Sequence, residues 1–291
     1  MFVIFSDSDC DITPSLCKEY GINSISMPYS INDKEYYPYV DYDENSFDYK
    51  KHYDLLREGV LPKTSGLSPE KYIEHFEPFL KNGNDILYVH FSKAMSGTFN
   101  AFNLAVETLQ EKYPNNKIYT IDTKGISVLS HVIVNQVVEL YKEGKSIDEI
   151  MLWAKENVDK FNIYFYADNL KFFKLSGRVS GISATMGTIL GIHPIIHVNK
   201  NGVMETLSKC RGKKATLQKI VQFVEENQED IEKYPVYIGH SDALEIAHQL
   251  GDLLQAKFGK LDIRYNVVNP TIGSHCGPDC AGVTFHSKGR K

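Results

Sequence analysis

The sequence predicts an α/β fold in two lobes, on three observations. Short apolar runs of strand length alternate with helix-length segments through the first half, the pattern of a parallel sheet covered on both faces. Cap-plus-proline pairs, Thr13-Pro14 and Ser68-Pro69, mark helix starts between those runs. At 291 residues the chain is long for one core and comfortable for two. No repeat or low-complexity linker interrupts it, and the junction is expected at about Tyr164, giving lobes of 1–163 and 164–291.

In order, residues 2–6 predict a first strand ending in Asp7-Ser8-Asp9, and a short helix runs from Thr13-Pro14 to a stop at Gly21. Residues 26–37, with Asn32-Asp33 at the centre, predict a hairpin excursion. Helices are expected at 46–58, from Ser68-Pro69-Glu70 onward, at 97–112, at 126–142 and at 147–159, with strands at 85–91 and 117–121. The first lobe is therefore a parallel-sheet unit. In the second lobe, short helices are expected at 168–176, closed by Gly177, and at 181–191. Strands 193–198 and 203–207 turn at Asn201-Gly202, and a helix with the basic start Arg211-Gly212-Lys213-Lys214 runs to Val224. Strand 235–239, helix 242–257 and strand 261–268 complete an α+β unit. Residues 269–278 read as a Gly/Pro loop before a last strand at 281–285.

Composition removes several functions. A net charge of −5 argues against nucleic-acid binding, which favours a basic excess. No run of eighteen apolar residues appears, and Met1-Phe2-Val3-Ile4-Phe5 is too short for a signal core, so a cytoplasmic protein is expected. The five cysteines are scattered as in a reducing compartment. His275, Cys276 and Cys280 lack the second ligand pair that structural zinc needs, so no metal and no cofactor are expected.

The chemistry concentrates in two hydroxyl clusters, Thr64-Ser65-Gly66-Leu67-Ser68 and Ser96-Gly97-Thr98, each just ahead of a predicted helix. Free N–H groups and hydroxyls at such a place suit an anion. No P-loop lysine and no G-x-G-x-x-G accompany them, so a single carboxylate fits better than a polyphosphate. Helix capping by Thr64 and Ser96 is the competing role.

These segments, in this order and over essentially the whole chain, resemble the DegV family of bacterial fatty-acid-binding proteins. The resemblance rests on Phe5-Ser6-Asp7-Ser8, on the two hydroxyl clusters, on the segment from Asn169 through Gly177-Arg178-Val179-Ser180, and on His275-x-Gly277-Pro278. The chain departs from the family pattern at Gly66-Leu67, where Gln-Pro is frequent, at His193, where lysine is usual, and at Asp279, where glycine is common.

The resemblance implies a two-lobed DegV-like fold and a non-catalytic carrier of a long-chain fatty acid such as palmitate or oleate. The acyl chain would lie in an apolar tunnel between the lobes. Thr64 and Ser96 would hold the carboxylate, with His275 close by and Ser65, Gly97 and Thr98 completing the set. It further implies presentation of the acyl chain to a separate fatty acid kinase. Two basic clusters, one with Lys171, Lys174 and Arg178 and the other with Arg211, Lys213 and Lys214, suggest docking to an acidic partner or transient contact with an anionic membrane surface, led by Arg178 and Arg211. Phe172, Phe173, Met186, Ile189, Leu190, Ile192, Ile195 and Ile196 are candidate tunnel walls, with plain core as the alternative. The competing function is an acyl hydrolase with Ser96 as nucleophile and His275 as base. Ala94 stands where a G-x-S-x-G elbow needs glycine, which counts against it.

Overall fold

The computed structural model describes residues 2–42, 44–168, 170–180 and 191–291. Strand β1 (Phe2–Asp7) leads to helix α1 (Pro14–Tyr20), where Thr13 accepts the Leu16 N–H and Gly21 closes the helix at φ 71°. Strand β2 (Asn23–Ile25) returns beside β1, and the excursion follows as strands β3 (Tyr29–Ile31) and β4 (Lys34–Tyr36), turned by Asn32 and Asp33 at positive φ. Helix α2 (Tyr49–Arg57) starts later than the expected 46 because Asp48 is the residue that caps it, accepting from Lys51 N–H. Strand β5 (Lys63–Thr64), helix α3 (Pro69–Lys81), strand β6 (Asp85–His90), helix α4 (Thr98–Lys112), strand β7 (Ile118–Asp122) and helices α5 (Val128–Lys142) and α6 (Ile147–Asn157) complete this part.

The second part comprises strand β8 (Phe161–Tyr166), helix α7 (Lys171–Ser176), strands β9 (Val179–Ser180), β10 (Ile192–Val198) and β11 (Met204–Arg211), helix α8 (Lys213–Asn227), strand β12 (Val236–His240), helix α9 (Leu244–Phe258), strand β13 (Ile263–Val267), helix α10 (Pro270–Cys276) and strand β14 (Ala281–His286).

Strands β2-β1-β6-β7 form a wholly parallel sheet. A mixed seven-stranded sheet runs β13-β12-β14-β8-β10-β11-β9, parallel only at its two outer pairings. The small antiparallel sheet β4-β3-β5 sets Thr64 opposite Tyr29. Helix α5 has ten buried residues and packs on β8, β12 and β14 of the mixed sheet while its apolar side chains join the core of the parallel sheet. An all-round apolar helix of this kind belongs between layers. Helices α8 and α9 cover the opposite face of the mixed sheet over a separate core that includes Leu217, Leu250 and Phe285.

Four expectations are corrected. Residues 269–278 are not all loop: Pro270–Cys276 is helix α10, with Asn269 as its cap, accepting from Thr271 N–H at 2.8 Å and Ile272 N–H at 3.2 Å. Strand β8, absent from the sequence reading, is the central strand between β14 and β10, and the expected junction at 163/164 falls inside it. Arg211 ends strand β11 instead of opening a helix. Helix α7 begins at Lys171, three residues after the expected start. The helix expected at 181–191 lies, but for Gly191, outside the described residues.

Candidate functional site

A cavity opens between the two sheets, and the elements that wall it explain its chemistry. Ile126 and Val128 at the start of α5 face Ile163 and Phe165 of β8, Met204 of β11, and Ile272 and Cys276 of α10. Gly239 and Gly282 contribute bare backbone, and an added Cβ at Gly282 would meet Phe165 Cβ at 2.2 Å, so the wall there is as thin as a polypeptide can be.

Thr64, Ser65, Ser96, Thr98, Arg178 and His275 supply most of the polar lining. Thr64 comes from β5 and not from a helix start. His275, placed by the last turn of α10, brings Nε2 to 2.9 Å from Thr64 Oγ1. Burial, with the nearby Arg178 charge adding to it, holds the His275 pKa down to about 4, so the ring is neutral at physiological pH. Its Nδ1 is buried without a hydrogen-bond partner among the described residues. Thr64, Arg178 and His275 also line an outer cleft bounded by Leu61, Phe172 and Leu175, so this polar group stands between the interior and the surface.

The two hydroxyl clusters touch. Leu67 N–H donates to Thr98 Oγ1 at 3.0 Å, Tyr72 Oη lies 3.0 Å from the same oxygen, and a Cβ added at Gly66 would come 3.2 Å from Thr98. Glycine at position 66 therefore keeps the segments together. Thr98, fully engaged and buried, ties the clusters to each other, whereas among the described residues Ser96 Oγ accepts only the Thr98 N–H, at 3.2 Å. Ser65 donates to Glu35 at 3.1 Å on the exposed rim. Ser68 makes no side-chain capping bond to the backbone of its helix, and Gly97 is exposed and outside the cavity lining.

Of the candidate walls, Phe173 lines the cavity and Phe172 the outer cleft. Ile195 and Ile196 are fully buried core on opposite sides of β10, and Ile192 pairs with Arg211 at the strand end. Met186, Ile189 and Leu190 lie outside the described residues. Of the wall residues that sequence reasoning missed, Ile163, Phe165, Ile272 and Cys276 come from β8 and α10, two elements it did not foresee, whereas Val128, Met204 and Gly239 stand on elements it expected.

Asp279, at the glycine-favoured position, has φ 63° and is held by Arg57, which donates to both its oxygens (2.8 and 3.2 Å) and also pairs with Asp242 at 2.6 Å. The carboxylate is thus neutralised from outside and does not enter the cavity lining. Arg211 is exposed and lines neither hollow. Among the described residues, no group of three or more His, Cys, Asp and Glu could hold a metal ion, and no helix is long and apolar enough to cross a membrane.

Residues 1–288 match a family model described as "Uncharacterised protein, DegV family". A DegV domain-containing protein of Clostridium perfringens is 36% identical over 284 residues, covering 98% of this chain and 97% of that one. Among solved structures, one described as fatty acid binding of a DegV family protein from Thermus thermophilus superposes with a TM-score of 0.86 at 22% identity, covering 98% of this chain and 99% of its own. Another, a DegV family protein from Eubacterium eligens loaded with heptadecanoic acid, gives 0.83 at 22% identity over 99% of this chain and 100% of its own. At these identities the structural likeness is one of fold.

Proposed function

This chain belongs to the DegV family, and from that premise we propose that it binds one long-chain fatty acid, such as palmitate or oleate, in the cavity between its sheets. The observation that carries the reading is an apolar cavity whose polar lining includes Thr64 and His275 paired at 2.9 Å beside Arg178. With its proton on Nε2, His275 donates to Thr64 Oγ1 and leaves the Thr64 O–H to donate to a carboxylate. Ser96 is arranged alike, since its oxygen accepts from Thr98 N–H and its own proton is available. Arg178 adds a positive charge where the head group would sit. About fourteen buried methylenes at roughly 0.8 kcal/mol each favour binding by on the order of 11 kcal/mol, against ~1–3 kcal/mol for each charge-assisted hydrogen bond. The tail supplies affinity and the hydroxyls supply direction.

In this reading the protein is a cytoplasmic carrier that catalyses nothing alone. It exposes the acyl carboxylate through the outer cleft to a fatty acid kinase, with Arg178, Arg211 and the exposed Leu61 and Leu175 as docking groups and a membrane surface as transient source of lipid. We assign the lobes to 2–160 and 161–291, which keeps β8 whole. The hydrolase reading is weaker on two counts: His275 Nε2 faces Thr64, and among the described residues no carboxylate orients its Nδ1.

The test is solvent extraction of the purified, denatured protein followed by mass spectrometry. A stoichiometric long-chain fatty acid is expected. An empty extract, with no uptake of added palmitate or oleate, would overturn the reading.

A further inference from the structure

One polar side chain in the cavity wall belongs to neither the head-group set nor the scaffold. Asp9 lines the cavity, is 7% exposed, and has an Oδ1 with no hydrogen-bond partner among the described residues. Other hydroxyls in that wall are occupied: Ser127 Oγ donates to Asp11, and Thr271 Oγ1 donates to Met27 O at 2.8 Å. The backbone around Asp9 is fixed, since its carbonyl accepts Ser127 N–H at 2.8 Å and Asn269 Nδ2 donates to Ser8 O at 2.7 Å.

Asp9 also stands away from the head group. Its neighbours Ser8 and Asp11 bind Asn269, at the start of α10, while His275 lies in the helix's last turn. Six residues at ~1.5 Å of rise separate the two by about 9 Å. A fatty acid with its carboxylate at Thr64 and His275 would therefore pass Asp9 several bonds down its chain.

We propose that the cavity accepts an acyl chain carrying a hydrogen-bonding substituent, a hydroxyl or oxo group, and that Asp9 holds that group. The inference rests on the fatty-acid reading and adds a substrate class to it. Burial, with Asp7 and Asp11 alongside, pushes the Asp9 carboxyl well above the usual carboxylate range. A neutral carboxyl offers both an O–H for an oxo group and an acceptor oxygen for a hydroxyl. A plain methylene at that point leaves the buried oxygen without a partner, which is costly.

The experiment measures displacement of a fluorescent fatty acid by stearate and by hydroxystearates whose hydroxyl moves stepwise along the chain. We expect one position, or two adjacent ones, to bind about five- to tenfold more tightly than stearate. Asp9→Leu should abolish that preference while keeping stearate binding, and Asp9→Asn should retain much of it. Stearate binding with no preference at any position, or a preference that survives Asp9→Leu, overturns the proposal and leaves the fatty-acid reading intact. Failure of every acyl ligand to bind overturns both. Should Asp9→Leu not fold, the wild-type series and Asp9→Asn decide.

Discussion

Thr64 Oγ1 and His275 Nε2 meet at 2.9 Å although 211 residues separate them, one carried on a two-residue strand and the other on the last turn of α10. The contact joins the excursion sheet to the C-terminal part of the chain. Thr64→Val keeps the shape and removes the hydroxyl. It should weaken fatty-acid binding by about tenfold through loss of a charge-assisted hydrogen bond. Calorimetric titration with oleate checks this, and an unchanged affinity would remove Thr64 from the head-group site.

The N-terminal carboxylates should set the pH dependence of stability. Burial pushes Asp7 up to about 7, even though Phe91 N–H and Tyr88 Oη donate to it at 3.2 and 3.0 Å. An acid whose folded pKa is raised holds its proton when folded and loses it when unfolded. Between about pH 4 and 7 the unfolded chain therefore binds fewer protons, and this group's contribution falls as pH rises. Asp7→Asn cannot ionise and should gain on the wild type by on the order of 2–4 kcal/mol between pH 4.5 and pH 7.5. Urea unfolding at both pH values reads the difference. His275, His52 and His131, each held down to about 4, act in the opposite sense, losing stability as pH falls from about 6.5 toward 4, so the single-site variant is needed to isolate Asp7.

Gly273 lets α10 rest on α2. A Cβ there would come within 2.6 Å of Tyr53 Oη, and Tyr53 is fully buried with its hydroxyl donating to Val268 O at 2.8 Å. Gly273→Ala should push the helix outward, costing about 1–3 kcal/mol and drawing His275 away from Thr64. A lowered thermal midpoint together with weaker oleate binding is expected. A stability loss with full affinity would show that the head group does not depend on this packing.

Arg57 fastens α2 to the loops that precede α9 and β14 by pairing with Asp242 and Asp279. All three side chains are about one-third exposed, so each pair contributes modestly, ~0.2–1 kcal/mol, and is screened by salt. Arg57→Met should cost about 1 kcal/mol at low ionic strength and less in high salt. Paired denaturation curves at two salt concentrations check it.

Much of this architecture was legible because its signals are local. Thr13-Pro14 and Gly21 bound α1, and Asn32-Asp33 and Gly202 turn the hairpins. What escaped depended on tertiary context. Asn269-Pro270 carries the same start signal as Thr13-Pro14, but Gly273 and Gly277-Pro278 made the stretch look like a loop; Gly273 is there for Tyr53, not for a turn. Phe161–Tyr166 shows no simple alternation because almost all of it is buried, with paired strands on both sides. Missing these two elements hid Ile163, Phe165, Ile272 and Cys276 from the cavity wall. Thr64 was singled out as a residue ahead of a helix, yet its position is fixed by pairing with Tyr29, a contact between segments 35 residues apart in sequence.

Ser96 and Thr98, two residues apart, should separate cleanly in function. Thr98 Oγ1 is buried between Leu67 N–H and Tyr72 Oη, so Thr98→Val leaves a buried amide without its acceptor and should cost about 1–3 kcal/mol of stability. Ser96 is half-buried at the cavity and accepts only one weak backbone bond, so Ser96→Ala should cost little stability. Its effect should appear in ligand affinity, about three- to tenfold weaker for oleate and unchanged for an uncharged alcohol of the same chain length. Measuring both variants against both ligands gives four numbers. Equal losses for acid and alcohol in Ser96→Ala would mean that its hydroxyl does not read the carboxylate, and the head-group set would shrink to Thr64, His275 and Arg178.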